Sequence, residues 1–107
     1  MEKPDLTVIH EMGGGDKEFE ATMIEIMQRE FPKEKEIFYD TLKQNDLKQT
    51  AQIVHKLKHK ISLLNMHESY KFSMVFEEEL KAGNKKSVKK FEDILDTITL
   101  YLKELAP

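Results

Sequence analysis

The sequence lacks cysteine and any long run of apolar residues. Among its 107 residues there is no cysteine, which excludes disulfide bonds, thiolate metal sites and a cysteine nucleophile. No apolar run approaches the roughly 20 residues of a membrane span, and the opening segment MEKPDLTV has no apolar stretch typical of a secretory signal. These absences favour a reducing compartment, and we predict a cytoplasmic protein without membrane association.

Residues that interrupt regular structure are also scarce, with four glycines and three prolines. Hydrophobic residues make up 39% of the chain and charged residues 35%, and alternating β-branched runs are missing while helix formers dominate. The length suits one domain with a substantial core. We therefore predict an all-α protein that forms a single domain over residues 1–107.

Five helical segments are separated by short turns. Asp5, Asp16 and Asp46 are placed to cap the first three helices, Gly83 to end the fourth and Asn84 to cap the last. Because short turns join neighbours, adjacent helices should run antiparallel. Four long helices and a short N-terminal one predict an up-down antiparallel four-helix bundle with a short extra helix.

Glycine and proline mark two interruptions near the start of the chain. The triplet Gly13–Gly15 should end a first helix that runs from Leu6 to about Met12. The triplet does not belong to a phosphate-binding loop, because the pattern G-x-x-x-x-G-K-[ST] is absent. Pro32 interrupts the second helical pattern, where we expect a kink or a new helical start.

The segment Ala51–Met66 predicts a helix with two different faces. Steps of about 100° per residue from His55 place one group within about 60° of it: Lys48, Ala51, Gln52, Lys58, His59 and Ser62. The far side and one flank carry Ile53, Val54, Leu57, Ile61 and Leu64. The apolar stripe should face a core and His55 should face water. Lys60 lies at the edge of the stripe and should extend outward along its methylenes.

Charge is unevenly distributed along the chain. The net charge is −3, but the segment 47–64 contains four lysines and no acid. Since that segment carries +4, the remaining residues carry −7. A basic strip on an acidic body predicts a local anion site and argues against nucleic-acid binding, which needs a broadly basic domain. The acidic run Glu77–Glu79 is interpreted as a solvated face.

An exposed imidazole beside a lysine suits phosphoryl chemistry. The nitrogen of His55 can attack phosphorus and carry a phosphoryl group, and Lys58, one turn along, can stabilise the added negative charge. Spacing alone leaves a plain solvated face open. His55 and His59 also have the i, i+4 spacing of zinc helices, but the lysines between them would repel a cation, so we predict no metal.

The motif Val54-His55-Lys56-Leu57-Lys58-His59 is similar to a family hallmark, a small residue followed by His-x-Leu-Lys-Gly on a bundle helix. The chain resembles the histidine-containing phosphotransfer (HPt) domains of bacterial phosphorelays over nearly its whole length. DLTVIHEMGGGDKEF resembles the family's first helix, glycine break and second-helix start. LKQNDLKQTAQIVHKLK resembles the approach to the histidine, and FEEELKAGN resembles the fourth segment and turn.

This resemblance implies a phosphocarrier that is not an independent kinase or hydrolase. His55 would accept the phosphoryl group and Lys58 would neutralise it. The partners would be response-regulator receiver domains or a hybrid histidine kinase, and the receiver would supply Mg²⁺, so this chain would bind no cofactor. We predict a monomer whose docking residues are Leu6, Ile9, Gln52, His59 and Ser62.

Three positions depart from the family pattern. Val54 replaces the small residue, and His59 and Asn65 stand where glycine is usual. Asn65 suits a helix end, whereas the ring of His59 could crowd a receiver, narrow its choice or add a donor to the phosphoryl group. The alternative function is a helical docking protein that binds receiver or kinase domains without accepting phosphate.

Overall fold

The computed structural model describes residues 2–105, so Met1, Ala106 and Pro107 of the predicted domain lie outside the described residues. Those described residues form five α-helices and no β-strand, which confirms the all-α prediction. The helices are α1 (Thr7–Gly13), α2 (Lys17–Lys43), α3 (Leu47–Leu63), α4 (His67–Lys81) and α5 (Val88–Leu105). Over residues 2–105, none of them combines the length and apolar character that crossing a bilayer requires.

The starts of α2 and α3 follow from their predicted capping residues. Asp16 accepts hydrogen bonds from the backbone of Glu18 and Phe19 at the start of α2, and Asp46 accepts one from Gln49 at the start of α3. These contacts satisfy N–H groups that have no partner inside the helix. The predictions for Asp16 and Asp46 are therefore confirmed.

The start of α5 differs from the prediction. The side chain of Asn84 accepts a hydrogen bond from the backbone of Lys86, but α5 begins only at Val88. Asn84 therefore caps a turn between α4 and α5, and its prediction as a helix cap is wrong. Gly83 has φ +80°, which suits its predicted place just beyond the end of α4.

Proline does not divide α2. The helix continues through Pro32 without interruption from Lys17 to Lys43, so the predicted alternative of a new helical start is wrong. Pro32 has no N–H to donate to the carbonyl of Gln28. Pro32 is exposed, and the side chain of Gln28 holds α2 to α5 by donating to the backbone oxygen of Leu102 at 3.1 Å.

The helices surround an aromatic and aliphatic core. α3 packs against α2 and α4, and α5 contacts both α2 and α4. Phe38, Phe76 and Phe91 are fully buried, with ring centroids 4.9–6.3 Å apart. The apolar residues predicted for the inner side of α3 are all buried: Ile53, Val54, Leu57, Ile61 and Leu64. This packing leaves the opposite side of α3 for the surface.

Lys60 is anchored by α2 instead of extending into water. Its Nζ lies 3.0 Å from Oε1 of Glu30 and 3.0 Å from Oε2 of Glu34, and its side chain is 12% exposed. A lysine at the edge of an apolar stripe needs a route to water or a carboxylate partner. Here two carboxylates fix the contact between α2 and α3.

The N-terminal segment is attached to the turn between α3 and α4. The backbone N–H of Asp5 donates to the carbonyl of Leu64, and the carboxylate of Glu2 accepts from the backbone of Glu68 and Ser69. The residue before α4 contributes no side-chain cap. Glu2 therefore supplies, from a distant part of the chain, the acceptor that the start of α4 needs.

We expect Phe38→Ala to reduce the free energy of unfolding by about 3–5 kcal/mol, because it removes a buried ring and leaves a cavity between three helices. Ile37→Ala is the matched control, since Ile37 is the next residue back and is 46% exposed. The control should change stability by less than about 0.5 kcal/mol. Denaturant unfolding of both variants measures the difference, and similar losses would contradict the assigned core.

Candidate functional site

His55 lies on the outer side of α3. Its side chain is 54% exposed, whereas Val54 and Leu57 on the same helix are fully buried. The 3.6-residue period turns those apolar neighbours inward and leaves the imidazole at the surface. The predicted exposure of His55 is therefore confirmed.

A buried carboxylate on α4 contacts this ring. Nδ1 of His55 lies 3.2 Å from Oε2 and 3.3 Å from Oε1 of Glu77, whose side chain is 8% exposed. An ionised carboxylate only accepts hydrogen bonds, so the contact assigns a proton to Nδ1. The neutral ring then carries its lone pair on Nε2, the nitrogen that Glu77 does not occupy.

Lys58 binds the same carboxylate. Its Nζ lies 3.0 Å from Oε1 of Glu77, and its side chain is only 13% exposed. Lys81 approaches from one turn along α4, with Nζ 3.5 Å from Oε2 of Glu77. The lysine predicted to neutralise a phosphoryl group therefore already has a negatively charged partner in the free protein.

The surroundings of Glu77 determine its charge. Burial by itself would raise the pKa of Glu77, but hydrogen bonds and electrostatic attraction from Lys58 and His55 outweigh burial and lower that pKa. Glu77 is accordingly ionised at neutral pH. A negative charge at Nδ1 makes the imidazole more electron-rich and stabilises any positive charge that develops on the ring.

Glu77 is the functional candidate that sequence reasoning missed. The interpretation of Glu77–Glu79 as a solvated face is wrong for Glu77, which is buried, and for Glu79, which is half-buried, while Glu78 is exposed. The helical spacing of α4 could have indicated the burial of Glu77. The buried positions of this helix are Ser69, Ser73, Phe76, Glu77 and Leu80. Such spacing places Glu77 at the edge of the inward stripe of α4.

His59 packs against His55. The two ring centroids are 5.1 Å apart and the ring planes meet at 86°, an edge-to-face arrangement. His59 is exposed, as are Gln52 and Ser62 on the same outer side of α3. The structure thus places three of the predicted docking residues on the helix face that carries His55.

The two docking residues predicted on α1 are positioned differently. Ile9 is fully buried, so the prediction that it contacts a partner is wrong. The docking role that the resemblance implied for Ile9 fails because its side chain packs in the core. Leu6 is half-buried and lines a separate depression with His10 and Glu20.

A groove runs along α3 and α4 beside His55. Its volume is about 670 Å³, and Gln52 and Glu77 line it together with His55. The floor includes Ala51 and Leu80, both buried apolar residues. Lys48, Lys56 and Lys81 also line the groove, so it combines an apolar floor with positive charge next to His55.

The donor set at the site is poorly suited to a metal. His55 and His59 are neighbours, but within residues 2–105 no three His, Asp or Glu side chains converge as metal ligands. The carboxylate closest to His55 is shared with Lys58. Those surroundings favour an anionic group over a cation.

No protein-family model, curated protein or solved structure matches this chain significantly. The functional interpretation therefore rests on the geometry around His55 and on the sequence resemblance to HPt domains.

We expect Glu77→Gln to lower the free energy of unfolding at pH 7 by about 2 kcal/mol, because it removes charge-assisted hydrogen bonds to Lys58 and His55. The pKa of Glu77 is lower in the folded than in the unfolded protein. Its stabilisation is therefore complete above the ordinary value of 4.5 and is lost as pH falls through the folded pKa. The difference between wild type and variant should shrink accordingly below about pH 4.5.

Denaturant unfolding between pH 7 and pH 3 measures this effect. Glu78→Gln is the matched control, because Glu78 is the next residue along and its side chain is 71% exposed. The control should stay within about 0.5 kcal/mol of wild type at pH 7. A Glu77→Gln deficit that is constant over the whole pH range would contradict the assigned ion pair.

Proposed function

We propose that this protein is a phosphocarrier of a two-component phosphorelay and that it holds the phosphoryl group on His55. The observation that carries this proposal is the Glu77 carboxylate, which contacts both Nδ1 of His55 and Nζ of Lys58. This carboxylate holds Nδ1 of the surface imidazole in place and leaves Nε2 available as a nucleophile. The HPt resemblance names the donors and acceptors as aspartates of response-regulator receiver domains.

The forward step moves the phosphoryl group from the partner's aspartate to Nε2 of His55. The lone pair on Nε2 of His55 attacks the phosphorus of an aspartyl phosphate, an N–P bond forms, and the P–O bond to the aspartate breaks. The electron pair of that bond leaves with the aspartate carboxylate. The ring gains positive charge, which Glu77 stabilises through the proton on Nδ1.

Onward transfer reverses these bonds on a second receiver. Its aspartate attacks phosphorus, the N–P bond breaks, and the electron pair returns to Nε2. Because Nδ1 keeps its proton against Glu77, imidazole leaves as a neutral ring. Lys58 lies close enough to Glu77 to exchange that carboxylate for the phosphoryl oxygens, while the receiver supplies Mg²⁺ and the remaining catalytic groups.

The helix contacts are compatible with an HPt-like architecture. We infer that α2, α3, α4 and α5 form an up-down antiparallel four-helix bundle and that α1 is the short extra helix. α3 lies between α2 and α4, and α5 contacts both of those helices. The groove beside His55 is the proposed place for a receiver, since its lysines complement an acidic phosphorylation site.

We expect His55→Gln to abolish phosphorylation by a receiver charged with a small phosphodonor and Mg²⁺. Intact-mass measurement should detect a phosphoryl adduct on wild type that is labile to acid and stable to base. His10→Gln is the matched control, because Nδ1 of His10 also contacts a carboxylate, Glu20, at 3.0 Å and its side chain is 66% exposed. That variant should keep the adduct.

The same experiment tests the alternative docking function. Binding of receivers without an adduct across a broad panel would favour a docking protein that accepts no phosphate. Because His55 also contacts the buried carboxylate of Glu77, His55→Gln should lower the free energy of unfolding by about 1 kcal/mol. Loss of the helical fold in this variant would contradict the surface assignment.

We expect Lys58→Ala to lower the transfer rate about tenfold, because a charge-assisted hydrogen bond to the phosphoryl group is lost. Lys89→Ala is the control, since Lys89 is 81% exposed on α5 and does not line the groove beside His55. It should transfer at a rate close to wild type. Rapid-quench measurement of transfer from one phosphorylated receiver gives both rates. Undiminished transfer to Lys58→Ala would exclude the proposed role of Lys58 in neutralising the phosphoryl group.

A further inference from the structure

The cations around Glu77 are already paired before any phosphoryl group arrives. Lys58 lies 3.0 Å from that carboxylate, and Lys81 lies 3.5 Å from it and 3.0 Å from Glu78. A phosphoryl group adds a charge of about −1.5 to −2 at neutral pH. Lys58 alone can offset only part of that charge, because its ammonium group also pairs with the carboxylate of Glu77.

His59 occupies the opposite flank of the nucleophile. On α3 it lies about 40° round from His55, whereas Lys58 lies about 60° round in the other direction. Because Lys58 points to Glu77 on α4, His59 lies away from that ion pair. Its ring nevertheless remains 5.1 Å from the ring of His55.

The ring of His59 is also able to donate a hydrogen bond to a new ligand. His10 and His55 contact carboxylates, but no ion pair formed within residues 2–105 involves His59. An imidazole can donate a hydrogen bond as the neutral ring or from both nitrogens as imidazolium. Either form can donate to an anionic phosphoryl oxygen.

We propose that His59 is a second phosphoryl-binding residue, which donates a hydrogen bond to the phosphoryl oxygens on Nε2 of His55. This inference rests on the carrier function proposed above and assigns a chemical role to the side chain that replaces the family's glycine. Lys58 and His59 then bind the phosphoryl group from two sides of the nucleophile. The stabilised species is the phosphorylated protein itself, independent of any receiver.

Because this stabilisation does not require a bound receiver, an experiment can distinguish a hydrogen-bond donor at position 59 from a side chain that only crowds the receiver. The equilibrium constant for phosphoryl exchange between a receiver aspartate and His55 depends only on the free energies of four separate species. These are the receiver and this protein, each with and without the phosphoryl group. Contacts made during docking alter the rates in both directions and leave this constant unchanged. A group that stabilises phosphorylated His55 alters the constant.

The experiment measures this equilibrium constant from both directions, with one receiver, Mg²⁺ and intact-mass quantification. His59→Ala should reduce the constant about tenfold, the amount expected for a lost charge-assisted hydrogen bond. His59→Lys should restore most of it, because lysine supplies a cationic donor at the same position. Gln49→Ala is the control, because Gln49 is exposed on the same helix and lies outside the groove; it should match wild type.

Two other results have distinct meanings. If His59→Ala changes the rates but leaves the constant at the wild-type value, His59 acts on docking and the phosphoryl-binding role is overturned. If wild type acquires no adduct from any receiver, the carrier function itself fails and this role fails with it. Unchanged circular dichroism of the His59 variants shows that the comparison concerns folded protein.

Discussion

The buried carboxylate of Glu77 couples the packing of α3 and α4 to the chemistry of the surface above them. A carboxylate that is 8% exposed needs hydrogen-bonding partners, because burying an unpaired charge is costly. Lys58 and His55 from α3 supply those partners. The demand for charge satisfaction therefore fixes how the two helices face each other and which nitrogen of His55 remains available.

The core beneath this carboxylate limits its freedom. Phe76 is fully buried next to Glu77 in the sequence and packs against Phe38 and Phe91. A rotation of α4 that withdrew Glu77 from His55 would also displace Phe76 from the aromatic cluster, and close-packed cores resist such movement. The apolar core thus holds the polar site in position by restricting the rotation of α4.

Polar contacts at the other helix interfaces serve a related purpose. Lys60 joins α3 to two glutamates of α2, and Gln28 joins α2 to the backbone of α5. Apolar packing is weakly directional, whereas hydrogen bonds require particular atoms to meet. These contacts therefore help to select one register among several that an apolar stripe would allow.

The sequence by itself determined the helices of this protein, the inward side of α3 and the exposure of His55. Each depends on neighbours within a few residues, through the spacing of Ile53, Leu57 and Ile61 or the capping side chain of Asp46. The tertiary structure decided that Glu77 is buried against His55, that Lys58 is already paired and that Ile9 belongs to the core. These facts depend on contacts between separate helices. His55 and Glu77 are 22 residues apart, and helical periodicity states which side a residue occupies but not which helix it meets.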